Sequence, residues 1–277
     1  MKKNKSGTLL LVLVFFLGLS VMLYPTVSDA INRRHQSYAV SNYTQQVDNM
    51  TAADYSVWFD AADRFNAAIA ADPEALYHPD RFPAYDATLD ITGTGIMGYI
   101  TIPRINVELP IYHGTGDAVL QSGAGHLEGT SLPVGGESTH AVISAHRGLP
   151  RAKLFTHLDQ LEVGDTFTVT VLDRVLTYEV DKITIVLPTE VEDLKVVEGR
   201  NYLTLMTCTP YGINTHRLLV RGRRIATPDN LKHIRVTSEA VRIDPIITAP
   251  LMALPLLVVL LVVLLGGGRK KKKHPKP

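Results

Sequence analysis

Short runs in which apolar and polar residues alternate follow one another through the second half of the chain, and glycine or proline separates most of them. The clearest covers residues 166–171, which read T-F-T-V-T-V, and Asp173 and Arg174 then form a turn that can reverse the chain. Many short strands at this spacing favour a barrel or a sandwich over an α/β sheet. Seven strands are predicted: residues 97–102, 107–112, 140–145, 166–172, 176–186, 202–207 and 216–224.

The preceding region has a helical pattern instead. Trp58, Ala62, Phe65 and Ile69 recur at helical spacing and share one face, and Thr51 is a suitable N-cap for this helix. An earlier helix is predicted over residues 29–48. A proline-rich connector follows at about residues 78–83 and should run extended over the surface. Two further short helices are predicted, over residues 153–161 and 190–197.

Both ends of the chain contain long apolar runs. Residues 8–24 carry no charge and follow three lysines, which indicates either a signal peptide or a signal anchor. The run is close to membrane-spanning length, so an uncleaved anchor is favoured. Residues 246–265 are also uncharged and precede a run of one arginine and four lysines, as expected for a transmembrane helix with a cytoplasmic basic tail. With both segments retained, the region between them lies outside the cell.

These features predict six consecutive parts. They are an N-terminal signal anchor or signal peptide (1–27), N-terminal helices with a connector (28–92), a β-rich domain (93–226), a linker (227–245), a transmembrane helix (246–266) and a basic cytoplasmic tail (267–277).

The charge distribution supports this organisation. Nine of the 28 basic residues lie in the two tails, which contain none of the 27 acidic residues, so the middle of the chain has a net charge of −8. Nucleic-acid binding depends on Lys and Arg that neutralise phosphates, so an acidic middle excludes it as a main function. The basic tail is better explained as a topology signal in contact with anionic membrane lipids.

The chain has one cysteine, Cys208, which follows a predicted strand and precedes a turn containing Pro210 and Gly212. It cannot form a disulfide within the chain, so outside a cell the thiol is buried, paired with another chain, or reactive. Its place at the end of a strand favours reactivity. The next predicted strand carries Arg217, and alternation along that strand directs Arg217 away from the core.

A reactive cysteine needs a base or a positive charge nearby, and its tetrahedral intermediate needs hydrogen-bond donors. His146 comes directly after the predicted strand 140–145, a position that mirrors that of Cys208. Neither H-x-x-x-H nor C-x-x-C occurs, which argues against a metal site. G-x-S-x-G and a phosphate-binding glycine loop are also missing from the sequence, so serine hydrolase and nucleotide-binding functions lack support.

Several motifs resemble those of the sortase family. The segment 204–210 reads T-L-M-T-C-T-P, which is similar to the T-L-x-T-C signature of sortases, and His146 and Arg217 lie where that family has its histidine and arginine. The resemblance covers residues 84–224 and, with the C-terminal membrane helix, points to the pilin-polymerising class C branch. It implies a mostly β fold: a closed barrel of about eight strands with short helices, preceded by N-terminal helices and flanked by transmembrane segments.

The resemblance also implies a chemistry that needs no cofactor and no metal. Cys208 would attack an L-P-x-T-G-like sorting signal to form a thioester, His146 would act as acid and then base, and Arg217 would stabilise the oxyanion. The acceptor would be a lysine amine of another pilin. Class C sortases usually carry an Asp-Pro-aromatic lid, and here Asp80 and Phe82 are the nearest equivalents in position. Together with Thr207 they are candidates for substrate-binding or lid residues.

Two other functions are considered. A related transpeptidase would anchor single surface proteins to a cell-wall peptide amine and would differ only in the nucleophile. A non-enzymatic surface protein would carry its own sorting signal just before the C-terminal apolar run. Residues 238–245 read S-E-A-V-R-I-D-P, which does not resemble such a signal, so this hypothesis has little support.

Overall fold

The structure is a computed structural model that describes residues 5–149 and 152–228. Residues 28–228 belong to one compact unit, and the residues up to Val27 belong to another. The C-terminal transmembrane helix and basic tail predicted from the sequence, and all but the first two residues of the linker, lie outside the described residues.

Eight strands form a closed barrel in the order β1-β2-β3-β4-β7-β8-β6-β5. Strands β2 and β3 run parallel, as do β4 and β7, and the other neighbouring pairs are antiparallel. The strands are β1 (Ile96–Ile102), β2 (Val107–His113), β3 (Ala124–His126), β4 (Thr139–Ser144), β5 (Thr166–Val171), β6 (Arg174–Val186), β7 (Asn201–Thr209) and β8 (His216–Ile225).

All seven predicted strands are present, and the choice between barrel and sandwich is resolved in favour of the closed barrel. The sequence did not predict β3, because three residues are too few to show an alternating pattern. The two short helices predicted over residues 153–161 and 190–197 are wrong as α-helices. Those segments contain only single 3₁₀ turns, Leu158–Gln160 and Glu192–Leu194, because each is a loop held against the barrel by its few buried residues.

Two long helices precede the barrel, α1 (Lys5–Asp48) and α2 (Ala52–Ala71); a short helix, α3 (Asp117–Ser122), lies between β2 and β3. The predicted cap of α2 is confirmed, because the side chains of Thr51 and Asp54 each accept a hydrogen bond from the other's backbone N–H. In the described part of the chain, one helical stretch, Val14–Asp48, is long and apolar enough to cross a membrane by length and composition.

The C-terminal part of α1 and all of α2 pack into the same hydrophobic core as the barrel. The Tyr43 hydroxyl donates to the carbonyl of Met97 at 3.1 Å and accepts from the backbone N–H of Leu172 at 2.9 Å. From α2, the Asn66 amide exchanges two hydrogen bonds with the backbone of Leu132, at 2.6 and 3.1 Å. These buried polar contacts fix both helices to the barrel.

The Tyr43 contacts lead to a stability prediction. In the Tyr43→Phe variant, a buried carbonyl and a buried N–H lose their partner, so the free energy of unfolding should fall by about 2 kcal/mol. Urea unfolding of the detergent-solubilised full chain measures this change. Tyr38→Phe is the matched control, because Tyr38 lies on the same helix and is 76% exposed. Equal stabilities of the two variants would contradict the anchoring role of Tyr43.

Candidate active site at the ends of strands β4, β7 and β8

Strand register places Cys208 directly opposite Arg217 in the antiparallel pair β7–β8. Residues opposite each other in such a pair project from the same face, with Cβ atoms about 5 Å apart. Both side chains are half-buried and lie at the end of their strands, next to the β7–β8 loop. The structure therefore brings the predicted thiol and the predicted cation together at the edge of the barrel.

The parallel pair β4–β7 brings His146 to the same edge. Ser144, the last residue of β4, is paired with Met206, and the backbone N–H of Ala145 continues the pairing by donating to the Met206 carbonyl at 3.2 Å. His146 follows and is half-buried. Ser144 shares the face of Met206 and Cys208, and His146 lies two residues beyond it, at the same end of the β4–β7 pair.

Arg217 makes its side-chain hydrogen bonds to backbone carbonyls, with Nη1 donating to Asn214 at 3.3 Å and to His216 at 3.2 Å. Within the described part of the chain, no carboxylate forms an ion pair with it. The guanidinium is therefore oriented by the β7–β8 loop while its charge remains available to a bound group.

Thr207 connects the two strand ends that carry the cysteine and the histidine. Its side chain is buried, and its hydroxyl donates to the Ala145 carbonyl at 2.7 Å. The sequence presented Thr207 as a candidate substrate-binding or lid residue. Because its hydroxyl is used within the fold, the structure favours a role in holding β4 against β7.

The other threonine of the motif, Thr204, belongs to a second buried contact. His140 Nδ1 lies 2.8 Å from the Lys195 carbonyl and its Nε2 lies 2.8 Å from the Thr204 hydroxyl. A carbonyl only accepts, so Nδ1 carries the proton and Thr204 donates to Nε2. Burial lowers the pKa of His140 to about 4, although its hydrogen bond to the Lys195 carbonyl acts in the opposite direction. This neutral histidine ties the β6–β7 loop to β4 and β7.

Apolar side chains, including that of Met206, cover the outer face of the barrel beside the site. We call them the outer-face cluster. The β6–β7 loop contributes part of it, and the loop is also held by the Asp193 carboxylate, which lies 2.7 Å from Lys182 Nζ. That hydrogen bond lowers the pKa of Asp193. The cluster contains Val142, Leu194 and Leu219, with Leu76, Leu127, Val186, Val191 and Met206 packed against them.

The two candidate lid residues lie on the connector, which extends over residues 72–95 between α2 and β1. The expectation that it runs extended is wrong, because it is folded into successive turns. Asp80 is exposed on the 3₁₀ turn Pro79–Arg81. Phe82 is half-buried and packs against Phe65 of α2, with ring centroids 5.7 Å apart, which favours a packing role. The connector residue in the outer-face cluster is instead Leu76, which the sequence did not single out because one leucine in a loop has no periodic context.

No group of three or more His, Cys, Asp or Glu among the described residues could hold a metal ion. The site can instead support nucleophilic chemistry, because it has an unpaired thiol, an imidazole on the adjoining strand end, and a fixed cation opposite the thiol. A closed eight-stranded barrel with these three groups at one edge defines the class of sortase-type cysteine transpeptidases.

Comparison with known proteins agrees with this class. The family model for the sortase domain matches residues 100–225. The chain is 34% identical to sortase A of Streptococcus agalactiae serotype III (strain NEM316) over 117 residues, which are 41% of this chain and 47% of that protein. It is 31% identical to sortase D of Bacillus subtilis (strain 168) over 131 residues, which are 46% of this chain and 63% of that protein. The matched region thus spans less than two thirds of the length of each of these two relatives.

Solved structures of sortases C are similar over more of the chain. The crystal structure of sortase C1 from Streptococcus agalactiae has a TM-score of 0.64 and 46% identity, and the match covers 69% of this chain and all of that chain. Sortase C of Streptococcus pneumoniae, whose structure was described for its catalysis and pilin substrate specificity, has a TM-score of 0.63 and 45% identity, with coverage of 69% and 97%. The chain belongs to the sortase family, and the similar solved structures are class C sortases.

The buried histidines predict how stability depends on pH. Burial lowers the pKa of both His140 and His126 to about 4, below the value of about 6.5 expected in the unfolded chain. Between these values the unfolded state binds more protons, so stability is full above pH 6.5 and falls as the pH drops toward 4.

Removing one of the two histidines should weaken this dependence. In the His140→Gln variant, the slope of the unfolding free energy between pH 4 and 6.5 should decrease by about 1.4 kcal/mol per pH unit. Urea unfolding at several pH values measures it. His78→Gln is the control, since His78 is exposed. An unchanged slope in His140→Gln would mean that His140 does not contribute to the dependence.

Proposed function

We propose that this protein is a membrane-tethered cysteine transpeptidase that joins pilin subunits. It would cleave an L-P-x-T-G-like sorting signal between Thr and Gly and transfer the new carboxyl end to a lysine amine of another subunit. The observation that carries the proposal is the register of β7 and β8, which pairs Cys208 directly with Arg217, while β4 ends beside them just before His146.

In the first half-reaction, the Cys208 thiolate adds to the carbonyl carbon of the signal threonine. Arg217 lies opposite the sulfur and can stabilise the oxygen anion that forms, because its charge is permanent and not used by a carboxylate of the described chain. The bond to glycine then breaks, His146 gives a proton to the leaving amine, and a thioester remains on Cys208.

In the second half-reaction, the amine of an acceptor lysine adds to the thioester carbonyl. His146 accepts the proton from the attacking amine, the sulfur leaves as thiolate, and an isopeptide bond forms. One amide is exchanged for another and no electrons are transferred, so the reaction balances with the protein's own side chains and requires no cofactor.

The outer-face cluster supports recognition of a sorting signal. Val186 and Leu219 of this cluster belong to strands adjoining the site, and Val186 is paired with Arg217. Such an apolar wall suits the leucine and proline of the signal. Because Leu76 packs against the same cluster, we propose that the connector covers part of this wall and moves when a signal binds.

The similarity to Streptococcus pneumoniae sortase C, described for its pilin substrate specificity, favours pilins as substrates. The curated relatives include sortase A of Streptococcus agalactiae, so a wall-anchoring transpeptidase that uses a cell-wall peptide amine is the second candidate. For either function, the apolar part of α1 would act as a membrane anchor that holds the enzyme near tethered substrates, with the catalytic domain outside the cell and both tails inside.

The cysteine gives the first functional test. Purified full-length protein is mixed with a sorting peptide and either a pilin bearing its acceptor lysine or a cell-wall peptide amine. Mass spectrometry should detect a thioester on Cys208 and an isopeptide-linked product with the pilin. Cys208→Ala should abolish both. A product formed only with the cell-wall amine would select the second candidate, and product formed by Cys208→Ala would refute the mechanism.

The other two groups are tested with matched controls from the same elements. We expect His146→Ala and Arg217→Ala to lower kcat/KM by about 10²- to 10⁴-fold, because each removes acid–base or oxyanion stabilisation. His157→Ala, in the same loop as His146, and Arg223→Ala, an exposed position on β8, should keep wild-type kinetics. Wild-type rates in His146→Ala or Arg217→Ala would remove that residue from the mechanism.

A further inference from the structure

Arg147, which directly follows His146, contacts one residue of its own β4–β5 loop and one residue at the end of β7. Its side chain is only 10% exposed. One end of the guanidinium, Nη2, donates to the carboxylate of Asp159 at 2.5 Å, and the other, Nη1, donates to the hydroxyl of Thr209 at 3.3 Å. Thr209 directly follows Cys208. The Arg147 side chain therefore links the position next to His146 with the position next to Cys208.

The loops beside this contact also pack against each other. Tyr211 of the β7–β8 loop has its ring centroid 6.0 Å from Arg147 Cζ. Gly148 has φ +78°, a conformation that disfavours other residues, and a Cβ built there would lie 3.0 Å from the Tyr211 ring, which would have to shift by a few tenths of an ångström. The β4–β5 and β7–β8 loops therefore lie in close contact beside Arg147.

Fold stability alone does not require an arginine at this place. The Nε of Arg147 is buried and has no hydrogen-bond partner among the residues that the structure describes. An unpaired buried donor costs about 1–3 kcal/mol. The ion pair offsets little of this cost, because the Asp159 side chain is 46% exposed and exposed ion pairs contribute little to stability. What the arginine adds is a planar group that fixes the β4–β5 loop against the end of β7.

We propose that Arg147 is a positioning residue for the transpeptidation reaction, one that sets the placement of the His146 imidazole relative to the Cys208 thiol. This inference rests on the proposed function. Arg147 acts through the β4–β5 loop and the end of β7 and does not touch the substrate, in contrast to Arg217, which lies opposite the thiol. Proton transfer between imidazole, leaving amine and sulfur requires such placement, and a displacement of about 1 Å costs as much as 10²-fold in rate.

The test uses Arg147→Met in the full-length protein. We expect kcat for transfer of a sorting peptide to an amine acceptor to fall about 10- to 100-fold. KM should stay within about twofold, since the change leaves the residues proposed to hold the signal in place. Arg147→Lys, which keeps the charge and one hydrogen bond, should recover part of the rate. Arg104→Met is the matched control, because Arg104 pairs with Glu162 at the surface, at 3.1 Å, and should retain wild-type kinetics.

Asp159 provides a second, independent variant. Asp159→Asn should lower kcat less than Arg147→Met, because it loosens the guanidinium without removing it. The double variant should be no slower than Arg147→Met alone, since both changes act through one contact. Additive losses would mean that Asp159 acts separately and would overturn the proposed bridge.

Alkylation of the thiol separates this inference from the proposed function. Cys208 is the only cysteine of the chain, so the rate of its reaction with iodoacetamide reports on one site and needs neither peptide nor acceptor. We expect slower alkylation in Arg147→Met than in Arg104→Met, because a displaced imidazole supports the thiolate less well.

If the wild-type protein transfers no peptide but this difference in alkylation is found, the proposed function fails, while the effect of Arg147 on the placement of imidazole and thiol stands. Wild-type kcat and alkylation in Arg147→Met would overturn the positioning role. A purely structural effect would also overturn it. In that case kcat would fall equally in Arg147→Met and Arg147→Lys, and neither variant would show a cooperative unfolding transition in urea.

Discussion

Parallel pairing between β4 and β7 is the constraint on which the site depends. The two strands are far apart in sequence, and a parallel pair cannot be closed by a tight turn, so their register has to be held by contacts along their length. A one-residue slip would turn one of the site residues toward the core. The hydrogen bond from Thr207 to the Ala145 carbonyl fixes this register at the end of the pair, where the histidine and cysteine follow.

The outer face of the barrel that carries Ser144, Met206 and Cys208 has two parts. Near the strand ends it presents half-buried, polar groups suited to reaction. Further along the strands, the outer-face cluster covers this face. The neutral His140 is buried there, and both of its ring nitrogens form hydrogen bonds. Dry, fully satisfied surroundings of this kind keep the strands rigid, and rigid strands place reactive groups more accurately than loops alone do.

Much of this arrangement could be predicted from the sequence, because it depends on local patterns. Alternation predicted the long strands, and the places where strands give way to loops indicated Cys208 and His146 as candidates. The short strand β3 and the role of Leu76 were not predictable, since neither has enough neighbours to form a pattern. Arg147 was visible beside His146, but its partners are Asp159, later in the same loop, and Thr209, at the end of β7, and only the folded chain shows that they meet.

The anchor between His140 and the β6–β7 loop has an evolutionary consequence. On the loop side, the partner is the backbone carbonyl of residue 195, which every amino acid supplies. This attachment therefore allows any side chain at position 195, whereas Asp193 and Leu194 hold the same loop through their side chains and are less free to change. Residues 140 and 204 are different, since each needs the other's side chain, and we expect them to co-vary.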